Sequence, residues 1–122
     1  MNKIKQNYEK RKILNQVRFT SLTGNREGCF RAYSNETENH IKKKFEAWLI
    51  LKKAKWSVWT EVIFKNGIRM DILGFLEGRF LNIEILESET IEELKEKIKK
   101  YPHIEIMGIK TEEDLKELKR LI

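Results

Sequence analysis

Two acidic residues interrupt two apolar stretches of this 122-residue sequence. Asp71 lies within IRMDILGF, residues 68–75, and Glu84 lies within FLNIEIL, residues 80–86. Carboxylates are seldom buried in apolar segments unless they are paired or bind a metal ion. Two of them in neighbouring segments therefore indicate a site at which acidic oxygens do chemistry.

The turns that flank residues 68–75 predict where the two carboxylates lie. Asn-Gly at residues 66–67 and Glu-Gly at residues 77–78 favour two-residue hairpin turns, and counting outward from each turn predicts the strand pairing. In the second hairpin this counting sets Asp71 opposite Glu84, with Cβ atoms about 5 Å apart. In the first hairpin it turns Glu61 to the other face, as an expected surface residue.

A divalent cation between Asp71 and Glu84 would relieve the repulsion between two like charges placed side by side. Carboxylate oxygens, water and a backbone carbonyl, here that of Ile85, are the ligands that Mg²⁺ and Mn²⁺ prefer. Such an ion polarises a phosphodiester and activates water, so the pattern predicts metal-assisted hydrolysis. The alternative is that both carboxylates face solvent or form a structural ion cluster with Arg69.

The elements around the carboxylates predict one domain, residues 1–122, with a mixed α/β (α+β) fold. Helical spacing of apolar residues predicts a helix over residues 36–53, with Ser34 or Asn35 as its N-cap. Strands follow at residues 56–64, 68–75 and 80–86, then a helix from residue 90, a strand at residues 104–109 and a last helix capped by Thr111. The order α-β-β-β-α-β-α places an antiparallel meander and one parallel strand in a central four-stranded sheet covered by helices.

The N-terminal third of the sequence predicts two further pieces. Residues 1–11 favour a basic arm or a short helix. Residues 12–33 favour a β-hairpin, because Thr-Gly-Asn-Arg at residues 23–26 is a turn sequence between two apolar segments.

This order of elements, with Asp71 on the second strand and Glu84 of IEI on the third, resembles the PD-(D/E)xK superfamily of restriction-endonuclease-like nucleases. The sequence ETENHIKKKFEAWL, followed later by IEI, resembles the competence-protein CoiA-type branch. The resemblance covers residues 36–110. It implies a metal-dependent DNA nuclease in which Asp71 and Glu84 hold the ion and a carboxylate of the first helix, here Glu38, assists.

Two positions depart from the superfamily motif. Met70 stands in place of the proline, and Leu86 stands in place of the lysine. Without that lysine the chain either performs no hydrolysis or supplies the charge elsewhere. Arg69, predicted directly across from Leu86, is the candidate for stabilising phosphate charge. The resemblance also implies phosphate contacts for His40 and Lys44, which lie one helical turn apart.

Positive charge is concentrated in the N-terminal half of the chain. Residues 1–60 hold 14 Lys and Arg against 5 Asp and Glu, whereas the whole chain has a net charge of +6. This asymmetry suggests a polyanionic partner such as nucleic acid, for which the resemblance implies DNA, with Lys10, Arg11, Lys12 and Lys43 among the phosphate contacts. Abundant Lys and Glu are also typical of proteins from thermophiles.

Composition narrows the remaining possibilities. The sequence has no run of 18 apolar residues and no signal-peptide pattern, so we expect an intracellular, cytoplasmic protein with no membrane partner. Cys29 is the single cysteine, which excludes an internal disulfide. Two rivals to the nuclease interpretation stay open: a catalytically inactive nucleic-acid-binding protein on the same fold, and a subunit that uses the fold to form a homodimer.

Overall fold

The computed structural model describes residues 3–15, 17, 27–32, 35–65, 67, 69–99 and 105–122. The elements in chain order are α1 (Lys3–Leu14), α2 (Glu38–Lys53), β1 (Ser57–Ile63), β2 (Arg69–Leu76), β3 (Arg79–Ile85), α3 (Ile91–Ile98), β4 (Glu105–Ile109) and α4 (Glu112–Leu121). The four strands form one sheet in the order β1-β2-β3-β4. From α2 onward this is the predicted α-β-β-β-α-β-α order, which confirms the mixed fold. No helix in the described ranges is both long and apolar enough to cross a membrane.

The sheet is an antiparallel meander of β1, β2 and β3 that is extended by the parallel strand β4. In the second hairpin Leu76 pairs with Arg79, and the pairing continues in step as far as Ile72 with Ile83, which confirms the predicted register. Residues 77–78 both have positive φ, 49° and 82°, as the predicted two-residue turn requires.

The first hairpin is one residue away from its predicted register. Val62 pairs with Met70 and not with Asp71. The predicted two-residue turn at residues 66–67 includes residue 66, which lies outside the described ranges. A shift of one residue exchanges the faces of a strand, and counting along the observed pairs sets Glu61 opposite Asp71.

Apolar clusters lie on both faces of the sheet. On one face, α2 and α4 pack over the strands through buried residues that include Ala47, Leu51, Ile72, Ile83 and Leu118. On the other face, the buried cluster includes Ile13, Trp59, Leu73, Phe75 and Phe80. Burial of one side of α2 against the sheet fixes the direction in which the polar side chains near its start must point.

The described residues do not show the predicted N-terminal β-hairpin, and Val17 forms an isolated antiparallel bridge with Phe64 instead. Residues 12–14 belong to α1, since Lys, Arg, Glu and Gln favour a helix and the segment has no strand-like alternation. Residues 27–32 form no strand. Instead the Gly28 N–H donates to the Val58 carbonyl at 2.7 Å, and the Arg31 N–H donates to Thr60 Oγ1 at 2.9 Å. The predicted turn at residues 23–26 lies outside the described ranges.

Helix α2 begins at Glu38, later than predicted, and its N-cap is Thr37. The Thr37 hydroxyl accepts a hydrogen bond from the His40 N–H at 3.1 Å and donates one to the Glu87 carboxylate, just after β3. This cap ties the start of α2 to the end of β3. As a result Glu36 lies just outside the helix, next to its first turn.

Candidate functional site

Asp71 is held on β2 by the neighbouring strand. It is 9% exposed, and its Oδ2 accepts a hydrogen bond from the Ile85 backbone N–H at 2.7 Å. The amide of Ile85, and not the predicted carbonyl, is therefore the group directed at this carboxylate. Because Oδ2 is engaged by the backbone, Oδ1 is the oxygen that Asp71 presents to other groups.

Glu84 is 7% exposed on β3, where β4 flanks it with Gly108 as its Cα partner. The antiparallel pairs recorded between β2 and β3 end at Ile72 with Ile83. One further step of the same count sets Glu84 opposite Asp71, as the sequence predicts. Two buried acidic residues thus lie on adjacent strands at the same end of the sheet.

His40 brings an imidazole from α2 to Asp71. Its Nε2 lies 3.4 Å from Asp71 Oδ1 and 3.8 Å from Glu36 Oε1. Contact with Asp71 raises the pKa of His40, burial opposes this, and the charges of Glu36 and Glu87 add to the increase. His40 therefore belongs to an acidic cluster, and the phosphate contact that the resemblance implies for it stays a prediction.

Glu36, and not Glu38, is the carboxylate that the start of α2 brings to the cluster. Ligand atoms of Glu36, His40 and Asp71 all lie within 4.8 Å of one another, and no other such trio occurs in the described ranges. Glu38 is exposed. The cap at Thr37 explains the difference, because the helix starts late enough for residue 36 to turn inward while residue 38 faces solvent.

Lys44 is the basic residue of this cluster, and it is 0% exposed. Its Nζ lies 3.0 Å from Glu36 Oε1 and also forms an ion pair with Glu61. A buried lysine needs such partners, since an unpaired ammonium group in the interior is very costly. Lys44 is therefore a core residue and not part of a solvated basic face that contacts phosphate.

Glu61 is turned into the cluster by an unusual backbone conformation. Its φ is 55°, a value that residues other than glycine rarely adopt inside a strand. Burial raises the pKa of Glu61 to about 7, and a hydrogen bond with Glu36 adds to the increase while Lys44 opposes it. The expectation that Glu61 is a surface residue is wrong, because of the register shift and this conformation together.

Glu36 responds to the same neighbours in the opposite direction. Burial favours its neutral form, but hydrogen bonds with Glu61 and Lys44 outweigh burial, and the pKa of Glu36 is below its usual range. The two carboxyl groups therefore differ sharply: Glu36 is ionised at neutral pH, while Glu61 is close to half protonated.

The other predicted site residues lie apart from this cluster. Arg69 is exposed at the start of β2. Leu86, in place of the motif lysine, is buried, and a Cβ on Gly108 would come within 2.7 Å of its Cδ1. The Lys43 Nζ donates to the Lys110 carbonyl at 2.6 Å. On α1, Arg11 and Lys12 are exposed, while Lys10 pairs with Glu27 at 2.7 Å.

Three residues of the cluster were not assigned their role from the sequence: Glu36, Lys44 and Glu61. A signal for two of them was present, because Glu36, His40 and Lys44 are spaced i, i+4, i+8 and so fall on one side of a helix. Glu61 had no such signal, since its position depends on the pairing of β1 with β2.

This arrangement combines carboxylates, an imidazole and a buried ammonium group at one end of the sheet. Comparison of the chain with protein-family models, curated proteins and solved structures gave no match. The resemblance to the PD-(D/E)xK superfamily therefore stays a prediction, and the local chemistry of these residues is the basis for assigning a function.

Proposed function

We propose that this protein is a metal-dependent nuclease that hydrolyses DNA phosphodiester bonds at the end of the sheet where Asp71 lies. The observation that carries the proposal is the convergence of Asp71 Oδ1, Glu36 and His40 within 4.8 Å, beside a lysine that is fully buried. Polar groups this dense in a small domain reduce its stability, which favours a functional role for them over a structural one.

The residues present fit a divalent cation. Two carboxylate oxygens and an imidazole nitrogen are ligands that divalent ions accept, and the distances of 3.4 and 3.8 Å from His40 Nε2 are close to ligand separations around one ion. Asp71 and Glu36 would hold the ion; Glu84 is buried on the adjacent strand but is not among the residues whose ligand atoms lie within 4.8 Å of one another. A bound divalent cation supplies Lewis-acid polarisation of a phosphodiester and lowers the pKa of a water molecule.

The chain's own groups position that chemistry. The Ile85 amide fixes the Asp71 carboxylate, and Lys44 restrains Glu36 at 3.0 Å. Lys44 also supplies positive charge beside Glu36 and Glu61, from α2 and not from β3. Because Lys44 is buried, it acts on the carboxylates and does not contact substrate.

Basic residues on α1 would hold the DNA backbone. Five of its twelve residues are Lys or Arg and one is Glu, and most of the basic ones are exposed. Phosphate contacts of this kind bind DNA irrespective of sequence and weaken steeply with salt. A substrate chosen by shape, such as a branched DNA, is therefore favoured over a specific base sequence.

Cleavage of supercoiled plasmid and of a four-way junction with Mg²⁺ or Mn²⁺ tests the proposal. We expect Asp71→Asn and Glu84→Gln to lower the cleavage rate at least about 100-fold while DNA affinity in EDTA stays within about threefold. Glu36→Gln and Glu38→Gln should be compared side by side, because the geometry assigns the helix carboxylate to Glu36 and the superfamily resemblance assigns it to Glu38. Equal cleavage by wild type and Asp71→Asn would reject the proposal.

One observation favours the rival function, a nucleic-acid-binding protein without catalysis. Leu86 fills the position of the motif lysine and is packed against Gly108, so β3 offers no lysine to an attacking water. Salt-dependent DNA binding with no cleavage by any divalent metal would support this rival.

A further inference from the structure

The His40 imidazole lies among acidic groups, and its buried Nε2 atom forms no hydrogen bond with the described residues. Its side chain is 17% exposed, and the nearest acceptor oxygens, at 3.4 and 3.8 Å, are beyond a good N–H···O distance. Buried polar nitrogens are nearly always satisfied. An imidazole nitrogen this close to two carboxylate oxygens has a geometry that suits a ligand sharing one ion with them.

The separations agree with a shared ion. Ligands about 2.0–2.2 Å from a metal are about 2.9–3.6 Å apart at tetrahedral or octahedral angles. His40 Nε2 and Asp71 Oδ1 lie 3.4 Å apart, inside that range, and Glu36 Oε1 at 3.8 Å from Nε2 requires only a small side-chain movement. All three ligand atoms lie within 4.8 Å of one another.

The formal charges of the cluster also favour a bound cation. His40 faces the carboxylates of Asp71, Glu36 and Glu87, and Lys44 faces those of Glu36 and Glu61. These four carboxyl groups outnumber the two basic groups, although Glu61 is close to half protonated at neutral pH. The remaining negative charge favours a cation at this site. A phosphate group in contact with His40 would instead add negative charge beside Asp71 and Glu36.

We propose that His40 is a direct ligand, with Asp71 and Glu36, of a first-row transition-metal ion that this site binds in preference to Mg²⁺. This inference rests on the proposed function, since it identifies the cation of that same site. Imidazole is a good ligand for Mn²⁺ and the later first-row ions, whereas Mg²⁺ prefers oxygen ligands and keeps much of its water. The helix cap supports the role, because the His40 N–H bonded to Thr37 fixes the first turn of α2.

Electron spin echo spectroscopy of Mn²⁺ bound to the untagged full chain tests the inference directly. A histidine ligand gives a nitrogen modulation that oxygen ligands do not. The sequence holds only two histidines, so His103→Gln is the matched control. We expect nitrogen modulation in wild type and in His103→Gln, and its loss in His40→Gln. Absence of the modulation in wild type, or its loss in His103→Gln, would overturn the inference.

Affinity supplies a second measurement. By calorimetry with Mn²⁺ or Mg²⁺ alone, we expect wild type to bind Mn²⁺ at least about tenfold more tightly than Mg²⁺, and His40→Gln to lose most of that preference. If His40→Gln does not fold, the spectra of wild type and His103→Gln still test the inference, because nitrogen modulation that persists in His103→Gln can come only from His40. Nitrogen modulation without DNA cleavage would reject the nuclease and keep this inference. DNA cleavage supported by Mg²⁺, without nitrogen modulation, would keep the nuclease proposal and reject His40 as a metal ligand.

Discussion

Replacing Glu61 by glutamine should change the way in which stability depends on pH. The folded chain raises the pKa of Glu61 from 4.5 to about 7, mainly through burial and the hydrogen bond with Glu36. Glutamine keeps the size of the side chain and an oxygen for Lys44, but it cannot ionise. The difference in free energy of unfolding between wild type and Glu61→Gln therefore isolates the proton that Glu36 and Glu61 share.

The sign follows from the raised pKa. Below pH 4.5 Glu61 is protonated in both the folded and the unfolded chain. Between pH 4.5 and about 7 the unfolded chain loses this proton while the folded chain retains it, so wild type loses stability relative to the variant. At about 1.4 kcal/mol for each tenfold change in proton affinity, the full loss is about 2–3 kcal/mol after allowance for partial solvent screening.

Urea unfolding at pH 4.5, 6, 7 and 8 measures this difference, with fluorescence of the buried tryptophans as the signal: Trp48, Trp56 and Trp59. We expect the free energy of unfolding of wild type, minus that of Glu61→Gln, to fall by about 2–3 kcal/mol from the lowest to the highest pH. Glu92→Gln, which removes an exposed carboxylate of α3, is the control and should give a nearly flat difference. A flat or rising difference for Glu61→Gln would refute the assignment of the shared proton.

Two further substitutions test the contacts that hold the site and the fold. Lys44→Met leaves Glu36 and Glu61 buried without their cation, so we expect a loss of about 3 kcal/mol or more at pH 8 and a smaller loss at pH 5, measured by urea unfolding. Equal losses at the two pH values would contradict the ion-pair interpretation. Thr111→Ala removes the capping box formed with Asp114 at the start of α4 and should cost about 1 kcal/mol in the same assay, whereas no loss would contradict the capping role.

Most of the sheet and the existence of its helices were predictable because their signals are local. The Glu-Gly turn at residues 77–78 set the second hairpin in register, and helical spacing of apolar residues identified α2 and α4. The strand assignment of residues 12–14 was wrong, because the Lys- and Arg-rich segment around apolar residues 13–14 continues as helix α1.

The candidate site was predictable only in part. Asp71 and Glu84 were visible as carboxylates within apolar strands, and both are buried. The positively charged side chain of the site was expected to be Arg69, which is exposed. Lys44 was not identified as a buried residue, because one lysine among several in a charged helix gives no sign of being buried. Lys44 is distinguished from its neighbours only by the packing of α2 against the sheet.

The sequence by itself determined the order of elements from α2 onward, the second hairpin and the presence of acidic residues in apolar strands, since each depends on neighbours a few positions away. The tertiary structure alone decided which charged groups meet. Glu61 lies 17 positions from Lys44 and reaches it through a one-residue register shift and a positive φ. Long-range pairing energies choose between registers that local patterns leave nearly equal, and that choice places Glu36, His40, Lys44 and Glu61 around Asp71.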